Sequence, residues 1–250
     1  MLNLTAAYFK DETAVNNLGP SDGQVTYKDS AVGVGGGFGV LIEPTDSTRL
    51  GVTYYSPVRL SFNDTPSISG LGPVLSALLP GRPLDLTYTM PQWLMVSGYQ
   101  QITDDLAIMA NFGWQDWSQF GDVDVALQVN PDRVDNLTAN LNMKNTWHGA
   151  LGMQYRICKP WLLSFGFAYD SSPMTEANRS PSLPLDRNWR GAAGIQYDWS
   201  KNLTLGFAYE YISLGSADIN RQGGPIIGTL VGDYGTNMVN VVNLNLIYKF

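Results

Sequence analysis

Cysteine and histidine are almost absent: Cys158 and His148 are the single example of each in 250 residues. One cysteine excludes an intramolecular disulfide and any cysteine-rich metal site. One histidine, with no second ligand at suitable spacing, points to no metal centre. Long hydrophobic runs are missing as well. No stretch approaches the roughly 18–20 apolar residues of a membrane-crossing helix, and mean hydropathy is slightly negative. Charge is sparse, 15% of residues with a net value of −7, against roughly 25% charged residues in soluble domains. That balance offers no basic stripe to neutralise nucleic-acid phosphates. At the front, Met1 leads directly into the strand-like Leu2–Phe9, without the charged and apolar regions or cleavage site of an export signal.

What the chain has is period two. Leu203, Leu205, Phe207, Tyr209 and Tyr211 alternate with Thr204, Gly206, Ala208 and Glu210. Val242, Leu244, Leu246, Tyr248 and Phe250 alternate with Asn243, Asn245, Ile247 and Lys249. Successive strand side chains point to opposite faces, so each stretch has an oily and a wet side. Repeated along the chain without helical spacing, this predicts an all-β fold, an antiparallel transmembrane β-barrel, as one domain over 1–250. Ten strands are expected, at 2–10, 30–43, 48–62, 87–102, 105–128, 142–157, 161–171, 187–199, 203–218 and 235–250. Short turns at Pro44–Ser47, Thr103–Asp105, Cys158–Pro160 and Ser200–Asn202 alternate with longer polar connections at 11–29, 64–86, 130–140, 173–186 and 220–234. Outer-membrane barrels keep short turns on the periplasmic side and long loops outside, which puts Phe250 at the periplasmic rim.

Tryptophan supplies a length check. Trp189 and Trp199 share parity ten residues apart, roughly 33 Å of strand, which a tilt of about 40° reduces to roughly 25 Å, the height of a barrel's apolar band. Trp161 and Trp199 sit beside short turns, and Trp114, Trp117, Trp147 and Trp189 near the opposite ends, so two interfacial belts are populated. A soluble β-sandwich would not need two belts.

Three segments carry a family resemblance. Pro91-Gln92-Trp93 followed by Val96-Ser97-Gly98-Tyr99 looks like a strand of the FadL/TodX family of outer-membrane transporters for long-chain fatty acids and other hydrophobic compounds. The run with Trp114, Trp117, Ser118 and Phe120 resembles the family's W-x-x-W-S-x-F segment. Tyr169-Asp170-Ser171-Ser172-Pro173, then Asn178-Arg179-Ser180-Pro181 and Pro184-Leu185-Asp186-Arg187, resembles its Y-D-x-S-P, N-R-x-P and P-x-x-D-R spacing. The resemblance implies a monomeric barrel of about fourteen strands with an N-terminal hatch, moving apolar substrates without energy input. A signal peptide, a hatch and about four strands have no counterpart in these residues, so the sequence is expected to correspond to the C-terminal ten strands. By resemblance, barrel assembly machinery reads the terminal Tyr248 and Phe250.

The remaining motifs divide into bland and pointed. Gly33–Gly39 is glycine-rich, but Phe38 and Val40 fall where a nucleotide loop needs its last glycine. A strand that bends sharply, or that lets a plug approach, is the expectation there. Parity puts His148 with Lys144, Thr146, Gln154 and Arg156 on the lumen face, away from the lipid-side position of a lipase pair, so no enzyme is expected. The same parity turns Asp170, Arg190, Gln196, Asp198 and Glu210 inward. These charges either pair with one another, or Arg156, Arg190 and His148 meet a substrate carboxylate. Within 64–86, Leu71, Val74, Leu75, Leu78 and Leu79 follow helix-face spacing between Pro73 and Pro80-Gly81. An apolar helix in an outer loop either captures a long-chain fatty acid or other apolar molecule, or caps the barrel mouth. Passive uptake into outer-membrane lipid, without cofactor or nucleic acid, is the expected function. A structural or receptor barrel without transport is the alternative.

Overall fold

In the computed structural model of the chain, residues 1–15, 23–70, 83–130, 133–181, 184–222 and 229–249 are described. The strands are β1 (Leu2–Val15), β2 (Gly23–Thr45), β3 (Thr48–Tyr55), β4 (Val58–Asp64), β5 (Ser67–Ser69), β6 (Leu84–Met90), β7 (Trp93–Gln101) and β8 (Leu106–Gln115). A one-turn helix α1 (Trp117–Gly121) precedes β9 (Asp122–Asn130) and β10 (Arg133–Asn140). Then follow β11 (Thr146–Cys158), β12 (Trp161–Asp170), β13 (Asn188–Asp198), β14 (Leu203–Ser213), β15 (Ile219–Gln222), β16 (Thr229–Gly232) and β17 (Met238–Tyr248). The pairings of β1 with β2, of β7 with β8, and of each neighbouring pair from β8 through β11–β14 to β17 are antiparallel, and the four short turns fall where the spacing places them.

Three expected strands are each cut in two. The stretch 48–62 breaks at Ser56–Pro57, 87–102 at Pro91–Gln92, and 105–128 at Asp116 with α1. Proline lacks the N–H that a ladder needs, so Pro57 and Pro91 end the pairing that alternation alone would continue. Aspartate is a favoured residue immediately before a helix, the place Asp116 occupies. The expected loop 11–29 is largely ladder, with Leu2↔Gly36 through Val15↔Gly23 in unbroken register. The expected loop 130–140 is likewise one arm of the β9–β10 hairpin.

The chain forms two compact units. The first comprises 1–37, 55–92 and 118–142. Here β1 pairs with the start of β2, which also pairs with β5, while β10-β9-β6-β4 form a four-stranded sheet. Val58, Leu60 and Phe62 are buried, and Arg59, Ser61 and Asn63 between them are not. That oily face packs with Tyr27 and Ala31, and with Ala7, Phe9, Leu84, Leu86, Tyr88 and Met90 at its margin. Phe9 lies 5.7 Å from Phe62 and 5.8 Å from Tyr88, ring centre to ring centre. Fully burying each such side chain contributes about 1.5–3 kcal/mol. The glycine run makes the approach possible: a Cβ on Gly33 would stand 2.5 Å from the Arg59 carbonyl oxygen, and one on Gly35 2.7 Å from Val58.

The second unit comprises 38–54, 93–117 and 143–250. Its sheet runs from the end of β2 through β3-β7-β8-β11-β12-β13-β14 to β17. Directly opposed residues share a face, so the registers sort the side chains without ambiguity. One face carries Phe112, Leu151, Phe167, Phe207, Tyr209 and Leu244, all exposed, with Leu244 at 77%. The opposite face carries Ser97, Asn111, Gln154, Ser164, Gln196 and Asn245. This exposed apolar face meets no protein layer among the described residues, as a lipid-facing wall requires. Aromatic clusters mark both of its ends: Tyr169–Trp189 at 4.3 Å toward the long connections, Trp161–Tyr197 at 4.5 Å by the short turns.

Candidate functional site on the inner wall

The polar face of the second unit is built from short side chains. Two neighbouring rows read Asn111–Ala150–Ala168–Arg190 and Met109–Gly152–Gly166–Ala192–Glu210 across consecutive strands. With so little bulk, the wall keeps a recess of about 300 Å³ bordered by Met109, Asn111, Gly166, Arg190 and Glu210. The Oδ1 of Asn111 is buried there and accepts no hydrogen bond among the described residues, at the edge of open space. Glu210 faces the same recess without a cationic partner among the described residues.

Two ion-pair groups flank this plain stretch. Toward the long connections, Asp170 is held from both sides: His148 Nδ1 lies 2.7 Å from its Oδ1, and Arg190 Nη2 donates to its Oδ2. Arg190 Nε also donates to Asn188 Oδ1 at 3.1 Å. Toward the short turns, Arg156 Nη1 and Asp198 Oδ2 are 3.6 Å apart with side chains 34% and 39% exposed, and Thr204 Oγ1 donates to Asp198 at 2.8 Å. The register therefore puts His148, Gln154, Arg156, Asp170, Arg190, Gln196, Asp198 and Glu210 on one face. It also separates the candidate cations: Arg190 is committed to neighbours, and Arg156 is the more available one.

The residues of the Y-D-x-S-P, N-R-x-P and P-x-x-D-R segments converge beyond the strand ends. Arg179 is only 2% exposed. Its Nε donates to the Leu185 carbonyl at 2.8 Å, Nη1 to the Asp218 carbonyl, and Nη2 to Asp186 Oδ1 at 3.0 Å and Ser172 Oγ at 3.3 Å. Asp186 also accepts from the backbone N–H of Arg187 at 2.8 Å and of Ala217 at 3.3 Å. Gly215, at φ +72°, leaves the room, since a Cβ there would lie 2.7 Å from Asp186 Oδ2. A buried guanidinium is tolerable because its donors are met. In the same segments Pro173 accepts from the Lys144 N–H and Asn178 N–H donates to Thr175; separately, Trp117 Nε1 donates to Gln115 at 2.7 Å, and Trp114 stands opposite Trp147.

Leu71, Val74, Leu75, Leu78 and Leu79 lie outside the described residues, as does Phe250. Tyr248 is described and pairs with Leu203 at the end of β17. Sequence reasoning passed over Asn111 and the glycine–alanine rows. The signal available was the inward parity of β11 and β12, which reads Ala150, Gly152, Gln154 and Ser164, Gly166, Ala168.

The profile of the family described as outer membrane protein transport protein (OMPP1/FadL/TodX) matches residues 3–250. Outer membrane protein P1 of Haemophilus influenzae is 30% identical over 149 residues, 59% of this chain and 31% of that protein. The long-chain fatty acid transport protein of Escherichia coli is 29% identical over 180 residues, 67% of this chain and 39% of that protein. The chain thus spans well under half the length of these relatives. Among solved structures, a FadL homologue of Pseudomonas aeruginosa superposes with a TM-score of 0.78 at 20% identity, over 99% of this chain and 62% of the other. The toluene transporter TbuX of Ralstonia pickettii gives 0.59 at 20% identity, over 99% and 62%. Family profile, fold and two-faced wall agree: the chain belongs to the OMPP1/FadL/TodX family of outer membrane transport proteins and is an outer-membrane β-barrel protein.

Proposed function

We propose that this chain forms strand wall along which an apolar small molecule, a long-chain fatty acid or an aromatic hydrocarbon, crosses the outer membrane passively. The observation that carries the reading is the inner wall itself. Most charged groups sit toward its two ends, and its middle is mainly glycine and alanine around a recess of about 300 Å³, with Arg190 and Glu210 at the border. A general hydrophilic pore would line that stretch with charge, whereas an apolar solute needs clearance and little to bind. The similarity to a long-chain fatty acid transport protein and to a toluene transporter supports the same substrate class.

In this reading Leu71, Val74, Leu75, Leu78 and Leu79 capture the molecule, and Arg156, the looser cation, meets a carboxylate where the substrate has one. Arg190 and His148 hold Asp170 and shape the wall. No cofactor and no second subunit takes part, and assembly machinery reads Tyr248 and Phe250.

The test is uptake of labelled fatty acid and of toluene by cells that express this chain in an outer membrane lacking its own transporter of the family. Uptake above the empty vector is expected. Changing Leu75 and Leu79 together to Ser should weaken capture roughly ten- to hundredfold, because each leucine contributes about half of the roughly 1.5–3 kcal/mol of full burial. Arg156→Gln should reduce fatty acid uptake and spare toluene. A chain that inserts normally and takes up neither molecule overturns the proposal.

A further inference from the structure

On the apolar face of the second unit, one place departs from the ridge of large side chains. Gly98, Ala110 and Gly149 lie on β7, β8 and β11, with Gly98 opposite Ala110 and Gly149 opposite Phe112. Together they floor a groove of about 550 Å³ walled by Phe112, Leu151 and Phe167, with Leu50 closing it beside Gly98. The lining is almost entirely apolar. The walls are braced from outside. Phe112 stacks on Trp147 at 5.5 Å and 25°, and Phe167 packs against Trp189 at 5.4 Å. Gly149 is open above its floor, since a Cβ there would meet nothing within 4 Å.

We infer that this groove is a binding site for one acyl chain of an outer-leaflet membrane lipid. The inference rests on the outer-membrane setting of the strands and not on the transport reading. At hydrocarbon depth neither water nor polar groups can fill an apolar hollow, and an empty one forfeits its dispersion contacts. The space is more than three times the roughly 150 Å³ that holds a benzene ring, which suits a long alkyl chain. Gly149 lies three residues inside the Thr146 end of β11, roughly 10 Å along the strand. That end joins the long connections, so the groove opens to the outer leaflet. Braced aromatic walls give a preformed site with little left to order on binding, which separates one retained lipid from the exchanging lipid around it.

Native mass spectrometry of the intact chain, purified from outer membranes into detergent, tests the site with dipalmitoyl phosphatidylethanolamine as the probe. One retained lipid is expected after the detergent is stripped. Gly149→Leu fills the groove and should lower the retained fraction by about tenfold or more. Gly191→Leu is the control on the same face, outside the groove, and equally open within 4 Å; it should retain lipid like the parent. Ala110→Leu fills the groove from the neighbouring strand and repeats the test if Gly149→Leu does not insert. Dioctanoyl phosphatidylethanolamine should be retained poorly, and dipalmitoyl phosphatidylglycerol as well as the first probe, since the groove reads the chain and not the head group. Equal retention in parent and groove-filling variants, no retained lipid in the parent, or retention of free palmitate in place of phospholipid would each overturn the inference.

Discussion

The two units use the same strand pattern to opposite ends. In β4 the oily residues Val58, Leu60 and Phe62 are covered by protein. In β14 the oily residues Phe207, Tyr209 and Tyr211 stay exposed on a single-layer wall. Alternation fixes that a strand has an apolar face, and says nothing about whether that face meets lipid or another sheet. The second layer follows from Pro57 and Pro91. Each ends a ladder and releases the next segment to pair elsewhere, so that β4 joins β6, with Val58↔Met90 through Asp64↔Leu84.

The sharpest way to break this comparison is a matched truncation. Phe62→Ala should destabilise the first unit by about 3–5 kcal/mol, as for other buried aromatics. Phe207→Ala should cost about 0.5 kcal/mol or less, because lipid tails replace what the ring touched. Denaturant midpoints in lipid vesicles measure both, and similar costs would show that Phe207 is not lipid-facing.

A charge inverts the ranking within the second unit. Leu151→Arg should cost about 2–4 kcal/mol if that position lies near the bilayer midplane, and less in detergent than in vesicles, since a micelle deforms around the guanidinium more readily. Equal stability in both media would remove Leu151 from the hydrocarbon zone.

The smallest of the three effects concerns the glycine run. Gly33→Val should cost about 1–3 kcal/mol through overpacking against Val58 and the Arg59 carbonyl. Gly36→Val, on the opposite face of the same strand with nothing within 4 Å, should be nearly neutral. A neutral Gly33→Val would mean that β4 does not rest on β2.

Much of the candidate site is legible in the sequence. Parity alone put Arg156, Asp170, Arg190, Asp198 and Glu210 on one face, because strand side chains alternate regardless of what surrounds them. What parity leaves open is which charge faces which, since that depends on the cross-strand register. The register set Ala168 against Arg190 and His148 against Asp170, tying Arg190 into a group and leaving Arg156 loose. The convergence of Ser172, Arg179 and Asp186 was likewise invisible as geometry. Spacing named the residues, but the burial of Arg179 depends on Gly215 and Ala217, some thirty residues from Asp186.

By itself, then, the sequence determined the all-β class, the four short turns, the two aromatic belts and the polar side of each strand in the second unit, all from local rules of period and turn chemistry. The tertiary structure alone decided that β4 and β6 form a second layer, that Gly33 and Gly35 exist for close approach, and that Gly98, Ala110 and Gly149 align into one groove. Each of those depends on residues far apart in the chain meeting in a particular register, and no local pattern encodes a register.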